Sequence, residues 1–253
     1  MPSAPKTARA RARAELTREI KDSARRQLGD VGAPALSLRA VSRELGMASS
    51  ALYRYFPSRD DLLTALIVDA YESLGAVAEE ASASTTGTEA RWLAIATAMR
   101  RWATDNIHEY ALIYGSPVPG YQAPEQTIPA AERVSLVMLR LVRDGVTDGD
   151  IISGDTISGD NDSGHVDDGE RADALPDIPA PVRADFARIA AFAEAELPAP
   201  VVGRALLVWT NLFGTLSFEL FGHLKNGVLD DDAFFEHQMR LAGRFLVAGI
   251  ART

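Results

Sequence analysis

A chain of 253 residues, 47% hydrophobic and 24% charged, is long enough to bury one large core or two small ones and lies in the ordinary globular range. Without cysteine it can hold no disulfide framework, thiolate zinc site or cysteine nucleophile, and four scattered histidines offer no metal cluster. The formal net charge of -9 hides an asymmetry: residues 1–60 carry twelve Lys or Arg against six Asp or Glu, whereas residues 147–176 carry nine acidic side chains against Arg171 alone. One region should attract phosphate and the remainder repel it.

Residues 1–14 form an arginine-rich stretch read as a flexible basic arm; it lacks the apolar run of a secretory signal, so a cytoplasmic location is expected. Leu16, Ile20, Ala24 and Leu28 recur every four residues and stack on one face of a first helix, closed by Gly29 and Gly32. Ser37 offers an N-cap to a short second helix with Leu38, Val41 and Leu45 as its stripe, and Gly46 stops it. A third short helix is expected over about Ser49 to Tyr55, with Leu52 and Phe56 turned inward, and Pro57 ends it. Ser58 and Asp61 read as a capping box opening a long fourth helix through Leu62, Leu66 and Leu74.

Two short helices joined by a glycine turn are the physical content of a helix-turn-helix, here spanning residues 15–61. The outward face of its second helix must be polar to enter a major groove about 12 Å wide, and Ser49, Ser50, Tyr53 and Arg54 supply that face. A plain three-helix bundle is the competing reading of the pattern alone.

The run from Ser37 to Leu63 resembles the DNA-binding signature of the TetR family of bacterial regulators, through Gly46, the Leu52-Tyr53 pair, the aromatic Tyr55-Phe56 and basic Arg59, over about fifty residues. The resemblance implies an all-α homodimer with an N-terminal helix-turn-helix domain on a C-terminal helical ligand-binding and dimerisation domain, residues 62–253. It further implies a palindromic double-stranded operator and a small-molecule effector that releases the reading heads. Carried over by position, Arg39 would contact base or phosphate, Ser49 and Ser50 the bases, and Tyr53 and Tyr55 phosphates or a thymine methyl. Arg59 stands where a lysine usually clamps the DNA backbone. Arg9, Arg11 and Arg13 could reach the minor groove as an arm, and a solvated tail explains them equally. Ala48 replaces the usual capping Ser or Thr, so Ser49 becomes the alternative cap.

Beyond the head, helical patterns cover about residues 89–108, 129–146, 182–196, 200–224 and 231–251. The apolar run 205–221 is shorter than a bilayer span and carries Asn211 and Glu219, so it reads as a covered helix with no membrane role. The last two patterns are the expected dimer helices, through Val202, Leu206, Trp209, Phe213, Leu216, Phe221, Met239, Phe245 and Leu246. An effector pocket is sought among Trp92, Trp102, Tyr110, Tyr114 and Tyr121, which ordinary core packing would explain as well.

In the acidic segment 147–176, Gly-Asp-x-x-Ser recurs at 149, 154 and 159, as an expanded flexible loop would. Calcium binding is the alternative, although the spacing lacks the glycine and distal glutamate of an EF-hand loop. No nucleophile with its base, no metal cluster and no phosphate-cradling glycine loop stands at workable spacing, so neither an enzyme nor a cofactor is expected. A ligand-released repressor is the reading that results, with an activator of the same family or a sequence-independent architectural protein as alternatives.

Overall fold

The computed structural model describes residues 8–152, 177–192 and 196–248, and within them every regular element is a helix. In chain order the α-helices are α1 (Ala8–Val31), α2 (Leu38–Glu44), α3 (Ser49–Leu52), α4 (Arg59–Ala83), α5 (Thr88–Asp105), α6 (Ile107–Tyr114), α7 (Ile128–Thr147), α8 (Ala180–Phe192), α9 (Ala199–Leu220) and α10 (Asp231–Ala248), with short 3-10 turns at Ala33–Ala35 and Glu125–Thr127. Most of the acidic segment lies outside the described residues. The chain divides into two compact units, Met1–Ser73 with Asp105–Ala131, and Leu74–Thr104 with Glu132–Thr253.

The first unit is built on the four-residue repeat of α1. Ile20, Ala24 and Leu28 are buried together with Leu38 and Val41 of α2, Leu52 of α3, Phe56, and Leu62, Leu63 and Leu66 of α4. At roughly 2 kcal/mol for each large side chain taken from water, this cluster is what lets the two short helices α2 and α3 hold one shape against α1 and α4. Gly32 at φ +74° ends α1 and Gly46 at φ +63° ends α2, both in the left-handed region where a Cβ is disfavoured. The Ser37 Oγ caps α2 by accepting from the Ala40 N–H, and the Ser58 Oγ accepts from the Asp61 N–H while donating to its carboxylate.

Three boundaries differ from the sequence reading. The helix expected to start near Leu16 begins at Ala8, so Arg9, Arg11 and Arg13 are helical residues rather than a flexible arm. All seven residues 8–14 are Ala or Arg, both of high helix propensity, with nothing to break the run. Gly29 does not close α1. It lies inside it, and a Cβ there would come within 3.2 Å of the His108 ring, so this glycine gives α6 a seat on α1. Residues 89–108 are not one helix either: the backbone breaks at Asn106, and α6 follows as a separate helix ending at Gly115.

In the second unit Trp92 of α5 is fully buried, and its indole N–H donates to the Met239 carbonyl of α10 at 2.8 Å. Gly243 makes room for that ring, since a Cβ would stand 2.9 Å from Trp92 Cδ1. Val134, Val137, Met138, Leu141 and Val142 of α7 and Val201, Val202, Ala205, Val208, Leu212 and Leu216 of α9 fill the rest of the core. Arg100 of α5 is clamped by the Glu219 carboxylate through contacts of 2.8–3.0 Å and meets Asp232 at 2.7 Å, and these two carboxylates hold its pKa above the ordinary arginine value; its guanidinium also lies 4.9 Å over the Phe235 ring. The α9 helix is long and apolar enough to cross a membrane by length and composition. Arg204 near its start is nevertheless buried, its guanidinium donating to the carbonyls of Val247 and Ile152, as in a core helix.

Candidate nucleic-acid interface and the helical body

In the α2–turn–α3 unit, the Met47 N–H donates to the Ser42 carbonyl at 2.8 Å and fixes the turn. The α3 helix is a single turn: beyond Leu52 the Arg54 and Tyr55 amides reach back only three residues, to Ala51 and Leu52, so the chain tightens before Pro57. Its N-cap is Ala48, which gives no side-chain bond, and Ser49 does not cap in its place. The Ser49 hydroxyl pairs with the Ser42 hydroxyl at 3.0 Å, stitching α3 to α2.

The residues picked for DNA contact separate into two groups. Arg39, Ser50, Tyr53 and Arg54 are exposed, and their side chains have no partner among the described residues. Tyr53 is 42% exposed although it is a large aromatic. Tyr55, Ser49 and Arg59 are held. Tyr55 packs against the core and lies 4.9 Å beneath the Arg13 guanidinium. Arg59 donates to the carbonyls of Ala33 at 2.8 Å and Pro34 at 3.2 Å and approaches Asp60 at 3.4 Å. Its Nε is buried without a partner. Instead of reaching outward, Arg59 ties the turn between α1 and α2 to the start of α4.

Sequence reasoning missed the ion network that braces this head. Asp69 of α4 receives Lys21 and Arg25 of α1 at 2.7 Å each, and Arg25 also meets Asp22 and Glu109 of α6. With Arg13 and Arg18, the residues Lys21, Arg25 and Asp69 rim an open hollow of about 530 Å³ along α1. Lys21 and Arg25 are therefore neutralised within the unit, whereas Arg9, Arg11 and Arg18 are exposed. Glu44 of α2 is braced from the other side: the Ser23 hydroxyl, then Arg26, hold its carboxyl below the usual range.

The five aromatic candidates do not line one cavity. Trp92 and Trp102 are buried in the second unit, while Tyr110, Tyr114 and Tyr121 belong to the first. There Tyr110, Tyr114 and Tyr71 stack in series at 5.3 and 6.0 Å, and Tyr121 shares a hydrogen bond with Thr64 at 2.8 Å. Burial pushes the Tyr114 phenol far above its ordinary pKa, so it is a neutral packing group. A different hollow of about 280 Å³ opens among α7, α8 and α9, lined by Glu132, Ser135, Leu136, Met138, Leu139, Ile189, Phe192, Val202, Ala205, Leu206 and Trp209. None of the five expected residues lies in it.

The expected dimer contacts need correction as well. Val202, Leu216, Met239 and Leu246 are buried in the protomer's own core and cannot meet a second chain. Leu206 and Trp209 face the hollow, Phe213 and Phe245 are half-buried, and Phe221 is exposed. Within α9 and α10 the large apolar side chains left open are Leu207 (61% exposed) and Phe218 (55%) on α9 and Leu241 (49%) on α10. Leu207, Asn211, Gly214, Phe218 and Phe221 fall at alternating spacings of four and three, a single stripe along α9. A Cβ at Gly214 would meet nothing within 4 Å.

Residues 20–66 match the family described as bacterial regulatory proteins, tetR family, and residues 92–242 match the family described as tetracyclin repressor-like, C-terminal domain. The chain is 38% identical over 238 residues to HTH-type transcriptional regulators of Mycobacterium tuberculosis and Mycobacterium bovis, covering 91% of this chain and 92% of each relative. Among solved structures it resembles the regulatory protein SCO4313, at 32% identity and a TM-score of 0.72, over 93% of this chain and 98% of that one. A protein from Rhodococcus sp. RHA1 shares the fold at 22% identity with a TM-score of 0.64, over 94% of this chain and 96% of that one. With a helix-turn-helix whose exposed polar groups converge on α2 and α3, and matches that span both halves of the sequence, the chain belongs to the TetR family of DNA-binding transcriptional regulators.

Proposed function

We propose that the protein is a cytoplasmic, non-enzymatic repressor that binds a palindromic operator as a homodimer and leaves it when a small apolar or amphipathic molecule enters the α7–α9 hollow. The observation that carries this reading is the set of exposed side chains on one helix-turn-helix: Arg39 of α2, Ser50 of α3, and Tyr53 and Arg54 immediately after it. A guanidinium there can take a guanine edge bidentately, and Tyr53 presents a hydroxyl for phosphate and a ring for a thymine methyl. The stripe from Leu207 to Phe221, together with Leu241, supports the dimer, because apolar groups on two adjacent helices make an isologous four-helix contact and Gly214 permits close approach. Two heads so joined must meet half-sites about one helical turn apart, roughly 34 Å.

The test is binding of the purified protein to the DNA upstream of its own gene, against a scrambled duplex, at near-physiological salt. Operator recognition gives a preference of about a thousandfold, and Tyr53→Ala removes most of it. Equal, weak binding to both duplexes and to a random library overturns specific reading and leaves only the electrostatics of a basic head.

A further inference from the structure

The hollow among α7, α8 and α9 has an uneven chemistry. Leu136, Leu139, Ile189, Phe192 and Leu206 are apolar walls, and Trp209 contributes an aromatic ring that meets Phe213 edge-on at 4.9 Å. Glu132, an exposed residue at the opening to solvent, is the one charged residue in this lining, and its carboxylate has no cationic partner among the described residues. On the same helix Arg133 is committed to Glu79 at 2.6 Å, and Arg140 lies 3.6 Å from that same carboxylate. No arginine or lysine lines the hollow to receive an anionic ligand.

We infer that the effector taken by this hollow is a small organic cation with an apolar tail, its charge set against Glu132 and Trp209 and its tail along α8 and α9. This rests on the proposal that the hollow is the effector site, and it narrows the class of molecule. The volume of about 280 Å³ lies at the small end of ligand pockets, which excludes a bulky polycyclic molecule from being fully enclosed. A fatty carboxylate of the same tail length meets repulsion from Glu132 with no compensating cation. An ammonium head is attracted by the Glu132 carboxylate, and the Trp209 ring in the same lining offers a cation an aromatic face.

The probes are three molecules of one tail length, decyltrimethylammonium, decanol and decanoate, each below its micelle concentration, titrated into the full-length protein. Tryptophan emission reports binding, because Trp209 lines the hollow whereas Trp92 and Trp102 are buried elsewhere; Trp209→Phe identifies the responding ring. The cation should bind about threefold to tenfold more tightly than the alcohol, the carboxylate most weakly, and Glu132→Gln should narrow that ranking, leaving what Trp209 contributes, without weakening decanol. Equal binding of cation and alcohol, unchanged in Glu132→Gln, overturns the charge preference and leaves the effector site standing. Binding by none of the three overturns the inference, and release of operator DNA, measured separately with each probe, decides whether the effector reading falls with it.

Discussion

Replacing Arg59 distinguishes a side chain that clamps DNA from one that braces the head. In the structure its guanidinium gives two hydrogen bonds to the Ala33 and Pro34 carbonyls, at 2.8 and 3.2 Å. A charged donor to a partly exposed carbonyl contributes somewhat more than the ordinary 1 kcal/mol, and the unpartnered Nε subtracts from the gain. Arg59→Ala should therefore cost about 2 kcal/mol, or roughly 4–8 °C in Tm for a chain of this size. Arg59→Lys, which can reach one carbonyl at a time, should recover part of it. The informative assay is operator affinity across a salt series. A phosphate clamp contributes about 0.9 to the slope of log K against log salt, so removing it from both heads of a dimer flattens the slope by about 1.8. Bracing predicts lowered affinity with an unchanged slope, because the phosphate contacts are misplaced together and none is deleted. A flattened slope with unaltered Tm would refute the bracing role and restore the lysine-like clamp that the sequence position suggests.

Gly243→Ala should cost about 1–3 kcal/mol in urea unfolding, since its Cβ meets Trp92 at 2.9 Å and the indole is held by its bond to Met239; no loss would mean that the ring moves freely. Leu207→Glu combined with Phe218→Glu should leave monomers in sedimentation velocity and weaken operator binding, whereas persistent dimers would place the interface elsewhere. The Glu79 carboxyl is held below its ordinary pKa by the Arg133 hydrogen bond, with the charges of Arg133 and Arg140 adding. That contribution is present above the unfolded value of about 4.3 and is lost as pH falls through the lower folded value. Glu79→Gln should thus cost roughly 0.5 kcal/mol at pH 7, discounted for exposure, and progressively less between pH 5 and pH 3 in urea titrations; a pH-independent cost contradicts it.

The head was legible because its signals are local. A four-residue apolar repeat, a serine cap, two glycines in the left-handed region and a serine before an aspartate each act within one turn, and the structure keeps them. What was not legible was the pairing of charges. Lys21, Asp69, Arg25 and Glu109 are separated by up to 88 residues, and nothing in their spacing brings them together until α1, α4 and α6 have packed. Arg59 failed for a related reason: its position on the fourth helix is set by sequence, but its partners are backbone carbonyls, which no side-chain motif encodes.

The body shows how an all-round apolar helix defeats pattern reading. Along α9 the sequence marks Val202, Leu206, Trp209, Phe213, Leu216 and Phe221 as apolar without telling one flank from another. Packing then divides them three ways. Val202 and Leu216 are buried in the core, Leu206 and Trp209 line the hollow, and Phe221 joins Leu207 and Phe218 on the open stripe. A helix divided in this way lets one element carry three surfaces at once. Occupancy of the hollow presses on Leu206 and Trp209, less than one turn from Leu207 and Asn211 of the stripe. If the stripe is the dimer contact, an effector acts one side chain away from it, so a ligand that tightens the hollow should alter the monomer–dimer equilibrium as well as operator binding. Sedimentation velocity with and without decyltrimethylammonium measures that coupling; an unchanged dissociation constant at saturating ligand would show that the two faces of α9 act independently.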